Sequence, residues 1–486
     1  MDVKVISRYV GFALLVSALF MFLSVLVSVF NGNDSALAAL SISFVLTFTV
    51  GIFPFIFVKK VSVISMADGY MIIFLSWLLS FVFGMLPYAL WGGPFTIVNA
   101  WFESVSGYTT TGASILEDVE ALPRSLLFWR SSTHFIGGLG VVAFLLLVIP
   151  NTSQMRLRLT NMELSSLSKH DYKVRGNRTV YIFTSVYLGL FVLSFISYMI
   201  AGMTPFDALN HAMSVTATGG FSTKNASIAG FNSVGIDILT MVFMLLASVH
   251  FGILFVSVAT RSLKPFKNEV FAFYVIGLAV GSLLVAASLT IHGTEPSFSQ
   301  ALLSASFQMV SYASTTGFAI ADNSTWPVLA SLMLLFIGIR CGMAGSTTGG
   351  IKSDRALILY KEIRYYLHSA LHPSSIHEVR VNGRVIPQED VAPHILYIAV
   401  FVSVMLVSII MCLTFGVDNQ NAFFGTISCL SNVGPSIGGS IGSMGNYGAE
   451  PAMAKLMYTL DMFLGRVEIY PILAVFLIVF GKKEHM

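Results

Sequence analysis

The sequence predicts an all-α polytopic membrane protein of ten transmembrane helices. They are arranged as two leading helices and four span–pore helix–span repeats around a central pore, with the eighth span broken. Three observations carry that expectation. Of 486 residues, 55% are hydrophobic and only 10% charged, whereas a soluble domain uses about 25% charged residues. Ten apolar runs are candidates to cross about 30 Å of hydrocarbon. A short semi-polar segment followed by a cluster of small residues recurs four times.

The runs fall at 9–30, 37–58, 69–91, 125–149, 179–201, 235–259, 270–291, 326–340, 394–415 and 455–480. The first follows Lys4 and Arg8 and precedes Ala36-Leu37-Ala38, much as in a secretory leader. It is longer than the roughly 7–15 apolar residues of a leader core, so it is expected to be a retained helix. Forty Gly and 40 Phe fit the same class, since Gly is commoner in membrane helices than in soluble ones. The three cysteines, Cys341, Cys412 and Cys429, suit neither a disulfide framework nor a structural zinc site. A net charge of +3 gives no reason to expect nucleic acid as a partner.

With the N-terminus in the cytoplasm, 21 of the 27 Lys and Arg fall on inner loops, and Arg124, Lys224 and Lys455 fall outside. The positive-inside rule then places both termini in the cytoplasm. Eleven acids, among them Asp34, Glu103, Glu117, Asp118, Glu120 and Glu450, sit on the outer face. They either steer cations inward or merely escape the insertion rule.

The four clusters read Thr109-Thr110-Thr111-Gly112-Ala113-Ser114, Thr216-Ala217-Thr218-Gly219-Gly220-Phe221-Ser222, Ser314-Thr315-Thr316-Gly317-Phe318-Ala319 and Ser431-Asn432-Val433-Gly434-Pro435-Ser436. Aligned on Gly112, Gly219, Gly317 and Gly434 they are spaced by 107, 98 and 117 residues. One unit of roughly 100 residues is therefore used four times. This divides the chain into leading helices at 1–60 and repeats at 61–150, 151–260, 261–370 and 371–486. The third carries a Gly-rich stretch at 340–350, and the fourth begins with a cytosolic hairpin. Each unit crosses twice, so all four share one orientation and surround an axis along the membrane normal.

The short segments before the clusters read as half-length helices. Thr204-Pro205-Phe206-Asp207 and Thr294-Glu295-Pro296-Ser297 put Pro near the first turn and an acid beside the helix N-terminus. A helix from Pro205 to Thr216 is about 18 Å long, half the bilayer. The return without helix is tolerated only inside protein or along a water-filled path. The clusters hold no carboxylate or base, so any ion there meets neutral oxygens. Carbonyl rings suit a dehydrated alkali cation, whereas a divalent ion calls for carboxylates and a transition metal for His or Cys.

These motifs, with Phe128-Trp129-Arg130-Ser131, His134-Phe135-Ile136-Gly137-Gly138 and Ala344-Gly345-Ser346-Thr347-Thr348-Gly349-Gly350-Ile351-Lys352, resemble the Trk/Ktr/HKT superfamily of potassium transporters, the TrkH type most closely. The resemblance covers nearly the whole chain. It implies a potassium-uptake subunit of a bacterial inner membrane, a homodimer with one pore per protomer, controlled by a cytosolic nucleotide-binding ring of the TrkA type. It also implies potassium bound by oxygens of Thr110, Thr111, Ala217, Thr218, Thr315, Thr316, Asn432 and Val433, beside Gly112, Gly219, Gly317 and Gly434. Glycine in all four repeats favours potassium over sodium, and the Asn-Val of the fourth strand implies modest discrimination.

Two further features bear on gating. Span eight ends in Arg340-Cys341-Gly342-Met343-Ala344-Gly345-Ser346-Thr347-Thr348-Gly349-Gly350. Each glycine costs a helix about 1 kcal/mol, so this stretch is expected to be unwound, either as an ion-pathway element or as a packing kink. The resemblance implies an intramembrane gate at Gly342, Gly345, Gly349 and Gly350 beneath the filter. Span ten carries Asp461, Arg466 and Glu468, costly in hydrocarbon and functional by default. Helical spacing puts the acids within about 20° of each other and Arg466 on the far side. Arg466 then either meets a carboxylate of another helix or faces the pore, which the resemblance supports. The acids are expected to be structural, as partners of Arg340 or Arg130. His134, His211 and His250 are expected to be core residues or to make hydrogen bonds between helices, and not to act as ligands or a proton relay.

On the inner side, Val379-Arg380-Val381-Asn382-Gly383-Arg384-Val385-Ile386 reads as a β-hairpin. It is either a docking point for a regulatory ring or a contact for anionic lipid headgroups. The chain carries no phosphate-binding loop of its own, so an organic cofactor is not expected and any nucleotide binds to a partner. An intramembrane enzyme is not expected, for no HExxH, paired Asp or activated Ser/His constellation is present. The alternative to a gated pore is a sodium- or proton-coupled potassium symporter, for which Asp461 and Glu468 are the coupling candidates.

Overall fold

The computed structural model describes residues 1–58, 64–140, 176–372 and 378–480. The predicted end of span four, most of the inner loop after it with Arg156, Arg158, Lys169, Lys173 and Arg175, and the inner-side Lys59, Lys60, Lys482 and Lys483 lie outside them. The fold is all-α and polytopic. Two leading helices, α1 (Val3–Phe30) and α2 (Leu37–Phe57), cross where Gly11 meets Gly51. A methyl added at Gly11 would sit 2.6 Å from the Gly51 carbonyl oxygen, so the small residues let the backbones approach.

The first repeat is α3 (Met66–Gly84) running into α4 (Leu86–Trp91), the short α5 (Ile97–Tyr108) and α6 (Arg124–Leu139). The second is α7 (Gly176–Ile200), the short α8 (Pro205–Thr216), α9 (Val234–Ser248) and α10 (Phe251–Thr260). The third is α11 (Glu269–Ile291), the short α12 (Phe298–Ala313), α13 (Val328–Arg340) and α14 (Ser353–Leu371). The fourth is α15 (Gln388–Thr414), the short α16 (Asn419–Ser431), α17 (Ala452–Arg466) and α18 (Tyr470–Phe480). Among the described residues, six spans are continuous and long enough to cross, and two bent pairs bring the number to eight; α13 is a short ninth. α6 is the described part of the predicted fourth span.

The half-length helices begin as their sequences dictate. Thr96, Thr204, Ser297 and Asp418 each cap one, accepting from Asn99, Asp207, Gln300 and Gln420 N–H groups, which satisfies donors a helix start leaves open. Pro205 is the first residue of α8 as expected. Pro296 is not in α12, which starts two residues later behind its Ser297 cap.

Span eight is broken, and so are two others. α9 and α10 meet at 102° and α17 and α18 at 105°. The expectation of a single broken span therefore falls short. Val249-His250 breaks span six with no Gly or Pro to announce it, because His250 turns its side chain to cap the next helix at Gly252 N–H (2.9 Å). Span ten breaks where Glu468 and Ile469 take positive φ (61° and 40°).

The predicted hairpin is present: Val379 pairs with Ile386 and Val381 with Arg384, around Asn382-Gly383 at φ 53° and 75°, the sign of a type I′ turn. It is docked, with the Glu269 carboxylate accepting from Asn382 N–H (2.9 Å) and Lys361 Nζ (2.6 Å). Buried apolar residues form two bodies. One is centred on Trp77, Phe81, Trp129 and Phe463 of repeats one and four, the other on Tyr274, Met309 and Tyr312 of repeat three together with repeat two.

Candidate ion pathway

The four short helices end in one repeated backbone form. One residue of each strand adopts left-handed φ: Thr110 (51°), Thr218 (54°), Thr315 (53°) and Asn432 (57°). Two residues on, a glycine takes positive φ: Gly112 (78°), Gly220 (83°), Gly317 (77°) and Gly434 (93°). The second repeat is therefore aligned one residue too early on Gly219. Its equivalent of Gly112 is Gly220, Gly219 matches Thr111, Thr316 and Val433, and Ala217 matches the residue closing each helix. Two adjacent glycines hid the register, although Gly220-Phe221 against Gly317-Phe318 carried the signal. Threonine in left-handed φ is strained by about 1–3 kcal/mol per residue, and three of the four strands carry it.

These glycines close a ring. A methyl at Gly112 would overlap the carbonyl oxygen of Gly219, one at Gly220 that of Thr316, one at Gly317 that of Val433, and one at Gly434 that of Thr111. Each repeat's glycine thus lies against the next repeat's carbonyl, in the order one, two, three, four and back to one. All four glycines floor a vestibule walled by Glu117, Phe221, Lys224 and Tyr447.

The strands are held from behind. Glu103 on α5 and Arg130 on α6 form a buried ion pair, Nε to Oε1 at 2.8 Å, 0% and 2% exposed. The Glu103 carboxylate accepts from Ser114 Oγ (3.0 Å) and Ile115 N–H (3.1 Å). Arg130 stacks over Phe221 (4.0 Å) and donates to the Ser222 carbonyl (3.4 Å), tying strand one to strand two. Glu103 is thus not a surface acid, and Asp34 accepts from Ser125 Oγ (2.8 Å), so neither is available to steer cations at the mouth. Arg130→Ala is expected to destabilise the fold by about 3–5 kcal/mol, because it strands a buried carboxylate. In thermal unfolding of the purified protein, Glu103→Gln Arg130→Met should recover part of that loss, and a wild-type transition in Arg130→Ala would refute the pair's role.

Repeat four is held by hydroxyls, Tyr447 Oη donating to the Gly434 carbonyl (2.9 Å) and Tyr312 Oη to that of Ser436 (2.6 Å). Of the three membrane histidines, His134 bonds from helix to helix, whereas His211 reaches strand two and His250 caps its own helix. His134 stacks on Phe221 (4.1 Å) with Nδ1 at Ser214 Oγ (3.2 Å), and His211 Nε2 meets Ser222 Oγ (2.9 Å).

The Gly-rich stretch between α13 and α14 lies against the deep ends of the short helices. Thr347 Oγ1 donates to the Thr216 carbonyl (3.3 Å), Gly349 N–H to Thr315 Oγ1 (3.2 Å), and a methyl at Gly349 would sit 2.6 Å from the Ser431 carbonyl oxygen. Backbone groups freed by the break in span six pair with it: Met343 N–H to the Ser248 carbonyl (2.9 Å) and Phe251 N–H to that of Gly345 (3.0 Å). Irregular backbone at membrane depth satisfies irregular backbone.

Arg466 also reaches this loop. Its guanidinium donates to the carbonyl oxygens of Thr347 (2.5 Å) and, from α6, Gly137 (2.7 Å) and Gly138 (3.4 Å). The helical-wheel argument that grouped Asp461 with Glu468 fails, because the helix stops at Arg466. Neither acid pairs with Arg130 or Arg340. Glu468 binds Arg355 (2.6 Å) and Lys352 (3.3 Å) at the start of α14, Asp461 accepts from Ser408 (2.6 Å), and Arg340 donates to the Phe273 carbonyl (2.6 Å). Sequence reasoning missed this junction, in which span ten grips both the loop and the helix that follows it.

A polytopic helical bundle whose four repeats each insert a half-length helix and close a ring of backbone oxygens belongs to the class of ion-transport proteins. The chain is a member of the TrkH family of cation transport proteins, whose family model matches residues 38–484. It is 29% identical over 482 residues, 98% of each chain, to the Trk system potassium uptake protein TrkG of Escherichia coli (strain K12). It is 31% identical over 420 residues, 86% of each chain, to the Trk system potassium uptake protein TrkH of Halomonas elongata. The crystal structure of the potassium transporter TrkH from Vibrio parahaemolyticus matches with a TM-score of 0.88 at 28% identity, over 99% of this chain and 100% of that one.

Proposed function

We propose that this chain is the potassium-conducting uptake subunit of a Trk-type system in a bacterial inner membrane. The observation that carries the reading is the closed ring in which each strand's glycine abuts the next strand's carbonyl. Carbonyl oxygens of Thr111, Gly219, Thr316 and Val433 would replace water around a potassium ion, with oxygens of Thr110, Thr218, Thr315 and the Asn432 backbone on the deep side. Ala217, closing α8, lies one position behind this set. Four helix C-termini aim partial negative charge at the same place, which suits a cation. Similarity to relatives named for potassium uptake supports potassium as the ion.

The vestibule faces outward and both termini face the cytoplasm in this reading, following the lysine and arginine bias. The loop with Gly342, Gly345, Gly349 and Gly350 is the gate, and Arg466 is its clasp. A second copy of the chain and a cytosolic nucleotide-binding ring are the expected partners, the docked hairpin at 379–386 offering the ring a fixed inner surface. Purified protein in planar bilayers should give single-channel steps, and reversal potentials under mixed gradients should show potassium preferred to sodium by a modest factor. Equal permeability, a preference for sodium, or smooth saturable flux without steps would sink the reading.

Coupled symport would need a titrating or ion-binding group. Glu468 is occupied by two bases, which leaves Asp461, buried between α15 and α17 with Oδ2 lacking a hydrogen-bond partner among the described residues. Asp461→Asn is expected to leave potassium flux and its dependence on sodium or proton gradients unchanged. Loss of gradient dependence would favour the symporter.

A further inference from the structure

Asn432 stands where the other three strands carry threonine, and its side chain has work that theirs lack. Asparagine tolerates left-handed φ better than a β-branched residue does. Its Nδ2 donates to Thr111 Oγ1 of the first repeat (3.0 Å) and to the Met462 carbonyl of α17 (2.8 Å). Its Oδ1 lies where a methyl at Gly349 of the loop, or at Gly465 of α17, would come within 2.6 or 2.8 Å. One fully buried amide thus touches a neighbouring filter strand, the Gly-rich loop and span ten.

The rest of the ring explains why the fourth strand needs it. Strand one is braced internally by a bond between the Thr109 and Thr111 hydroxyls (2.8 Å), and strand three by one between Ser314 and Thr316 (2.7 Å). Gly219 and Val433 have no hydroxyl, so strands two and four cannot make that bond. In ring order the self-braced strands lie on one diagonal and the others on the second. Strand two is backed by the His134 ring, which a methyl at Gly219 would overlap. Strand four is backed by the reach of Asn432 to Thr111 and Met462.

We propose that the Asn432 side chain is a positioning strut and not an ion ligand. It holds the Val433 carbonyl and the Thr111 strand in register and makes that register depend on the loop and α17. Ion preference is then coupled to the state of the gate through this side chain, beside the direct bond of Gly349 to Thr315. The inference rests on the filter reading above.

Reversal potentials of the full-length protein in bilayers, under mixed potassium and sodium gradients, test it. Asn432→Gly keeps the positive φ and deletes the strut, and the potassium-to-sodium permeability ratio should fall about fivefold, the effect of one net hydrogen bond lost. Thr111→Val removes the acceptor and with it the Thr109 brace, and should lower the ratio at least as much, while the double variant should lose less than the two single losses combined, as coupled partners do. Asn432→Asp keeps the shape but exchanges donors for acceptors, and should lose preference as Asn432→Gly does. An unchanged ratio in Asn432→Gly, additive losses in the double variant, or stronger potassium preference in Asn432→Asp would overturn the strut. Gly434→Ser is the separate check: if it leaves the ratio unchanged, the filter reading itself fails, whatever Asn432 does.

Discussion

Replacing Arg466 with alanine is expected to raise potassium flux by roughly tenfold or more. The guanidinium joins the loop at Thr347 to α6 at Gly137 and Gly138. Hydrogen bonds from a charged donor contribute about 1.5–3 kcal/mol each, and about 1.4 kcal/mol is a factor of ten in an equilibrium. In the proposed gate, alanine removes both the clasp and a positive charge beside the pathway, and each change favours cation passage. Lysine separates the two effects. If charge alone closed the path, Arg466→Lys would match the wild type; because a fork spans two segments and a single ammonium does not, intermediate flux is expected. Shortening Gly342–Gly350 should likewise raise flux and, because Gly349 lies against Asn432 and donates to Thr315, weaken ion preference as well. Unitary currents measured beside thermal unfolding decide the matter: a poorly folded Arg466→Ala protein with no gain in flux would retire the clasp.

Gly220→Ser is expected to abolish most of the preference for potassium. At φ 83° the residue sits where L side chains are disfavoured, and its Cβ would overlap the Thr316 carbonyl oxygen. That oxygen must turn away or the strand must shift, so the proposed ion site loses one oxygen or widens. Gly219→Ser is a different experiment, since its Cβ meets the His134 ring instead of a carbonyl. It should lower the melting temperature through the packing of α6 against α8 more than it alters selectivity. Reversal potentials and melting curves of the two variants therefore diverge. If Gly219→Ser were the one to erase selectivity with its fold intact, Gly220 would not be the glycine that closes the ring between strands two and three.

The sequence by itself determined the membrane class, the fourfold repeat, the short helices, and the unwound stretch after span eight. Each of these is written in local terms: a run of apolar residues, a spacing near 100, a semi-polar segment too short to cross, several glycines together. The hairpin was legible for the same reason, since Asn382-Gly383 prefers positive φ wherever it occurs. Three things were decided only when the repeats closed on one another. The register of strand two turned on whether Gly219 or Gly220 faces a carbonyl of strand three, a contact between residues nearly 100 apart. The break at Val249-His250 in span six has no Gly or Pro of its own; the loop supplies partners for the backbone groups it exposes at Ser248 and Phe251. The fate of the buried charges was likewise set by distance in space, with Glu103 taking Arg130 and Glu468 taking Arg355 and Lys352. A helical wheel ranks residues around one axis, whereas a charge in a low-dielectric interior settles on whichever opposite charge or carbonyl the tertiary packing brings within hydrogen-bond reach.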